Sequence, residues 1–343
     1  MKKFILVIAL LAVSFTNAQN ILIVDNNTNV DTTPSHMYST FATANTAAAT
    51  GDIIYVQPSA TSYGNINISK EVTIYGVGHT PELNAGRRAT FGLINVASNN
   101  VKISGIRTTA HIQSVSARSN ITIENSIIST SINFNTGVTN ASIQGNIVLG
   151  GITLHSTTST NITITHNFFD TVAVNGLSGF NSSTIFNNNL ITFAGVTTQS
   201  FFSSPIDLVA QNNIFVSTSS FHAANWQTGS SPVIFNNCLS YSYQGTTLGL
   251  LNGTGNFDNT NPQFVSIPGT NPSINVDNDY NIGSGSLGTD GNEVGLFSGS
   301  YDFDNRGYPT ILPYLEEMTI SNNMVQAGTH LNVNLKANAN KTN

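Results

Sequence analysis

The chain has 343 residues, a net charge of −6 and one cysteine, and only 8% of its residues are Asp, Glu, Lys or Arg, where about 25% is usual. One cysteine excludes an internal disulfide, and the absence of Lys and Arg between Arg118 and Arg306 argues against nucleic acid or an anionic membrane surface as partner. Disorder does not fit either, because Ile, Val, Leu and Phe recur too regularly.

The chain opens "MKKFILVIALLAVSFTNAQ", with two lysines, an apolar run from Phe4 to Val13, then small and polar residues. This is the layout of a secretory signal peptide cut near Ala18, and the run is too short to span a bilayer. The expectation is therefore export, to the medium, the periplasm or the cell surface, with no integral membrane segment. Residues 38–49 come next as a helix with Phe41, Ala44 and Ala48 on one side, placed to cover an open end.

From residue 72 the chain repeats itself: "VTIYGV", "VKISGI", "ITIENSI", "ASIQGNI", "ITITHNF", "TIFNNNL", "LVAQNNI" and "VIFNNCL". The anchors of these segments are Ile74, Ile103, Ile123, Ile143, Ile164, Phe186, Ala210 and Phe235, with Val56 anchoring an earlier coil. From Ile103 onward they lie 20 to 25 residues apart. That period, with several short alternating strands in each, predicts a parallel β-helix in which stacking buries what no single coil can bury alone. About nine coils at roughly 4.8 Å each give a rod roughly 40 Å long. A leucine-rich repeat is the rival at this period, but its regular leucine pattern is missing.

Two residues after each anchor stand Gly105, Asn125, Gly145, His166, Asn188, Asn212 and Asn237, types that tolerate a left-handed backbone. The next position reads Ser126, Asn146, Asn167, Asn189, Asn213 and Cys238, a predicted buried ladder of stacked amides. Cys238 then fills a ladder position as an inert thiol, possible end of the ladder, with no cation nearby to activate it.

"YSTFATANTAAATGDIIYVQPSATSYGNINISKEVTIYGVG" (38–78), "GNFDNTNPQFV" (255–265) and "DYNIGSGSLGTDGNEVGLFSG" (279–299) resemble the opening and closing coils of secreted right-handed parallel β-helix proteins of the pectin lyase-like superfamily. The signal peptide and the last segment, "LPYLEEMTISN…LNVNLKANAN", resemble those of Bacteroidota-type bacterial proteins. The resemblance covers roughly residues 21–299 and implies an all-β, right-handed parallel β-helix, placed over 19–299, with an N-terminal capping helix; the remaining 300–343 are expected to form a C-terminal tail packing on the rod. It implies no single activity, since that fold hosts lyases, hydrolases, epimerases and adhesins.

Chemistry is sparse. Between residues 125 and 257 the only acids are Asp170 and Asp207, at different offsets from their anchors, and Glu124 aligns with neither. A paired-carboxylate hydrolase site and a lyase base are both missing from the central coils. His111, His155, His166 and His222 show no metal spacing. A calcium ion near Asp277, Asp279, Asp290 and Glu293, with Asp302 and Asp304 following, is weighed against solvated turns, which are preferred. Long insertions at 197–207 and 217–232, and the segment 240–245, bring Phe201, Phe202, Phe221, His222, Trp226, Tyr241 and Tyr243 together, either as a sugar-binding surface or as rings packing their own loops. Ile185, Val209 and Ile234 form an outward apolar stripe, expected to be covered by the segment 313–337. The leading expectation is a secreted, monomeric, noncatalytic protein that binds neutral glycans, cell-surface polysaccharide or another surface. A polysaccharide lyase or glycoside hydrolase with loop-borne acids, and a structural, adhesion or ice-binding rod, are the alternatives. The outward positions are too mixed for a regular ice-binding array.

Overall fold

A computed structural model describes residues 19–82, 85–170, 176–193, 200–218, 226–289, 293–301, 303–320 and 330–339. The segment read as a signal peptide lies outside the described residues. The chain forms a parallel β-solenoid of about nine turns. The central coils each contribute a strand to three long sheets, of 13, 8 and 7 strands, which we call the first, second and third sheet in the order the chain visits them.

One coil shows why the sequence folds this way. Ile121–Glu124 alternates buried and outward residues in the first sheet, and Asn125 turns the corner with φ +50°. Ile127–Ile128 then enters the second sheet and Ser131–Phe134 the third, before Val138–Gln144 begins the next coil. Pairing is in strict parallel register, so Ile54, Ile74, Ile103, Ile123, Ile143, Ile164, Phe186, Ala210 and Phe235 form one continuous inner row. The row extends back to Leu22, which pairs with Ile54, and it runs through Ile54 rather than Val56. Val56 is also buried, two residues further along the same strand. Burying each of the isoleucine and phenylalanine side chains contributes about 1.5–3 kcal/mol, so the row as a whole holds the stack together.

The left-handed corner is as read from the sequence: Gly105, Asn125, Gly145, His166, Asn188, Asn212 and Asn237 all have positive φ. A second left-handed corner, not anticipated, lies three residues before the anchors at Asn100, Asn120, Asn140 and Asn161. Its side chains form an exposed ladder, with amide-to-carbonyl distances of 2.7, 3.3 and 3.0 Å between successive coils.

At the N-terminal end the helix Phe41–Ala47 starts at Thr40, whose hydroxyl accepts a hydrogen bond from the Thr43 amide. It buries Phe41 and Ala44, with Phe41 edge-on to Phe91 at 5.9 Å.

The C-terminal segment returns along the rod. The outer row of the second sheet is apolar, running Ile147, Phe168, Leu190, Ile214 and Leu239, and these residues are buried beneath Phe264, Tyr280, Ile282, Val294, Leu296 and Phe303. From there the chain runs against the direction of the coils along the left-handed corner. Gly295 N–H donates to Asn212 O at 2.8 Å, His166 Nε2 meets Ser298 O at 2.8 Å, and Tyr301 Oη donates to Asn125 Oδ1 at 2.8 Å. Thr80 N–H donates to Arg306 O at 3.1 Å to complete the strap.

This corrects the expected position of the cover. Ile185 and Val209 are 48% and 41% exposed, and the tail beyond the strap forms its own antiparallel hairpin, Pro313–Ile320 with Val333–Ala339. The physical reason is that the apolar residue four after each anchor points outward from the second sheet. The cover goes to that longer row, where five adjacent large side chains outweigh the three of the Ile185 stripe.

Candidate functional site

The ladder is built of repeated hydrogen bonds. Each asparagine carbonyl accepts the backbone N–H of the equivalent residue one coil earlier, at 3.1 Å for Ser126 to Asn146, 3.0 Å for Asn146 to Asn167, and 2.9 Å for both Asn167 to Asn189 and Asn189 to Asn213. Each amide donates to an anchor carbonyl, as Asn167 Nδ2 does to Ile143 O at 2.8 Å. Cys238 sits in line, with its Sγ accepting from Asn213 N–H at 3.4 Å. The ladder does not stop there, because Cys238 N–H donates to Asn256 Oδ1 at 3.0 Å. Burial pushes the thiol up to about 12. A nucleophile needs a lowered thiol pKa and access, and Cys238 has neither.

Phe201, Phe202 and Trp226 face the interior. Phe202 continues the inner row of the third sheet from Ile152 and Leu177, and its ring lies 5.5 Å from that of Phe186. Phe201 packs 4.3 Å from Phe193 and stacks on Trp226 at 5.6 Å, while Trp226 Nε1 donates to Gly249 O at 3.0 Å. These three rings fill the wide C-terminal coils and offer no face to a ligand. Phe221 and His222 lie outside the described residues. Tyr241 and Tyr243 are half-buried, edge-to-face at 5.0 Å, and pack on the apolar cover of the second sheet.

The acids are occupied in holding the fold. Asp170 is buried, accepts from Thr192 Oγ1 at 2.9 Å and from the Ile274 N–H at 3.1 Å, and so ties the C-terminal segment to the rod. Asp207 accepts from Ser231 Oγ at 2.9 Å, and Glu124 pairs with Lys102 at 2.7 Å. Asp279 Oδ1 caps the Asn281 N–H at 2.9 Å and Glu293 Oε1 accepts from the Ile282 N–H at 2.8 Å. Asp277 closes a turn through its N–H to Asn275 Oδ1, and Asp290 and Asp302 lie outside the described residues. Among the described residues no three His, Cys, Asp or Glu side chains converge to hold a metal ion. His111 lies beside Gln113, His155 beside Thr157, and His166 on the strap.

What remains open to solvent is the outer face of the first sheet over its C-terminal coils. Ile185, Val209 and Ile234 pair in register in one row, and Asn187, Gln211 and Asn236 form the next row out. Two residues of strand separate the rows, roughly 6.6 Å, and successive coils are about 4.8 Å apart. No charged side chain stands in either row across these three coils. The repeat showed the apolar half of this face, and the amide row was legible two residues further on in each segment. Comparisons of the chain with family models, with curated proteins and with solved structures found no match.

Proposed function

We propose that the protein binds an extended neutral glycan without cleaving it, along the first-sheet face formed by Ile185, Val209 and Ile234 with Asn187, Gln211 and Asn236. The observation that carries this is an apolar row, exposed at Ile185 and Val209 and half-buried at Ile234, set beside a parallel row of carboxamides. A sugar presents C–H faces ringed by hydroxyls, and apolar surface next to uncharged donors and acceptors matches both. The Asn187 and Asn236 side-chain carbonyls accept from Gln211 N–H and from Thr254, which fixes these side chains, and their Nδ2 groups with the exposed Gln211 carboxamide meet hydroxyls without the desolvation penalty of an ion. In this reading the N-terminal segment exports the chain, the right-handed solenoid resembles those of the pectin lyase-like group, and the helix Phe41–Ala47 covers the first coil as a cap. Masking that end keeps the strand edge there from pairing with other chains.

Native affinity electrophoresis through gels containing galactomannan, xylan, starch or hydroxyethylcellulose tests the proposal. Retardation by at least one polymer, abolished by Val209→Asp, is expected. Free migration in all four, or release of new reducing ends from the retarding polymer, contradicts it.

A further inference from the structure

Four of the five arginines in this charge-poor chain, Arg87, Arg88, Arg107 and Arg306, gather near one corner at the N-terminal end of the rod. Arg107 pairs in register with Thr90 on the second sheet. Ala89 and Phe91 are buried, so alternation turns Arg88 and Thr90 outward, on the same side as Arg107. The Gly78 N–H donates to Gly105 O at 3.0 Å, which sets His79 beside the start of the Arg107 strand. Arg306 arrives on the strap and is neutralised by Glu82 at 2.7 Å.

Arg88 and Arg107 have no such partner. The ion pairs among the described residues are Lys102 with Glu124, Arg306 with Glu82 and Lys336 with Glu316. Arg88 Nε reaches only Gly86 O, at 3.3 Å, and Arg107 Nε is buried with no hydrogen-bond partner. Burial and the neighbouring Arg107 hold the Arg88 guanidinium below its usual range. His79 is fully buried, and burial first, then Arg88 and Arg107, push it down to about 3, so it stays neutral. Two adjacent guanidinium forks, a buried donor left unmet and no carboxylate between them make an arrangement that a bound anion would satisfy.

We propose that Arg88 and Arg107 bind an oxyanion, either a carboxylate or a sulfate or phosphate group, at the outer corner of the second sheet. The site lies apart from the neutral-glycan face and stands or falls independently of it. It gives the rod a second, charge-selective contact near the opposite end, fitted to an anionic substituent.

Isothermal titration of the full chain with sodium sulfate, sodium phosphate and sodium acetate, against sodium chloride at matched ionic strength, tests the site. At least one of the three should give a saturable isotherm of one site per chain that chloride does not. Acetate against the two tetrahedral ions separates a carboxylate ligand from a sulfate or phosphate ester. Arg88→Gln and Arg107→Lys should each weaken that binding tenfold or more. Arg107→Lys keeps the charge and loses the fork, and Arg88→Gln changes a different, half-buried side chain, so it keeps the test open if a substitution of Arg107 fails to fold. No saturable binding of any of the three ions, or affinity unchanged in Arg88→Gln, overturns the proposal.

Discussion

The backbone N–H of Asn213 donates to the Sγ of Cys238 across 3.4 Å, in a ladder whose other steps are amide contacts of 2.9–3.1 Å to oxygen. Sulfur is the weaker acceptor, and an asparagine carbonyl there restores the repeat. Cys238→Asn should therefore fold, with a melting temperature equal to or above that of the wild type. Burial raises the thiol from 9.0 to about 12, so the unfolded chain ionises first as pH rises. Wild-type stability is full below about pH 9 and falls toward pH 12, by at most roughly 1.4 kcal/mol per pH unit from this group. Denaturant titrations at pH 8, 9.5 and 10.5 should show Cys238→Asn gaining on the wild type at each step. A constant difference rules this out.

Acid should loosen the strap and the N-terminal corner. Burial lowers both His166 and His79, the latter from 6.5 to about 3. The unfolded chain takes up protons first, so the contribution is complete above pH 6.5 and is lost as pH falls, at up to roughly 1.4 kcal/mol per unit for each histidine. His166→Asn keeps a residue that accepts the left-handed turn, and should flatten the stability profile between pH 6.5 and 4. An unaltered slope would show that protonation of His166 is not coupled to folding.

The two ladders should differ in cost. Asn167→Ala strands the Asn146 N–H and the Ile143 carbonyl in a buried setting, which costs roughly 2–5 kcal/mol. Asn120→Ala removes exposed hydrogen bonds, and water replaces them at a cost of about 1 kcal/mol or less, most of it from the left-handed backbone. Equal losses of stability in urea denaturation would refute the distinction between them.

The covered and bare rows can be separated in the same way. Phe168 lies beneath Tyr280, with ring centroids 5.0 Å apart, so Phe168→Ala should cost about 3–5 kcal/mol. Ile185→Asp changes an exposed position and should stay within about 1 kcal/mol. A large loss in Ile185→Asp would mean that another part of the chain covers that stripe in solution.

The coil was legible because its signals repeat. The seven inner anchors from Ile103 to Phe235, the left-handed residues two positions on and the asparagines in the next position each had a period to confirm them, whereas the coil before Ile74 had none and its anchor reads as Val56 instead of Ile54. Where a signal occurred once, the reading failed. "TTQSFFSSPID" looked like an inserted loop, yet Phe202–Ser203 is the ordinary third-sheet strand of its coil, and two residues are too few to show alternation. Asn100, Asn120, Asn140 and Asn161 also repeat, but an exposed asparagine outside the apolar alternation reads alike on a strand and in a left-handed turn, so this corner is not legible from residue type. The cover over Ile147 and Phe168 was misplaced because an apolar residue reads alike whether it faces the core or an outer layer.

The most direct measurement is the affinity of oligosaccharides of increasing length, prepared from whichever neutral polymer retards the protein and titrated calorimetrically against wild type and Val209→Asp. If the three coils bearing Ile185, Val209 and Ile234 form the binding face, affinity should rise with chain length until the sugar spans them, then level off. The Val209→Asp substitution should weaken the longest oligosaccharide at least tenfold while leaving the melting temperature unchanged. Length-independent affinity, or equal affinity in wild type and Val209→Asp, would contradict the account.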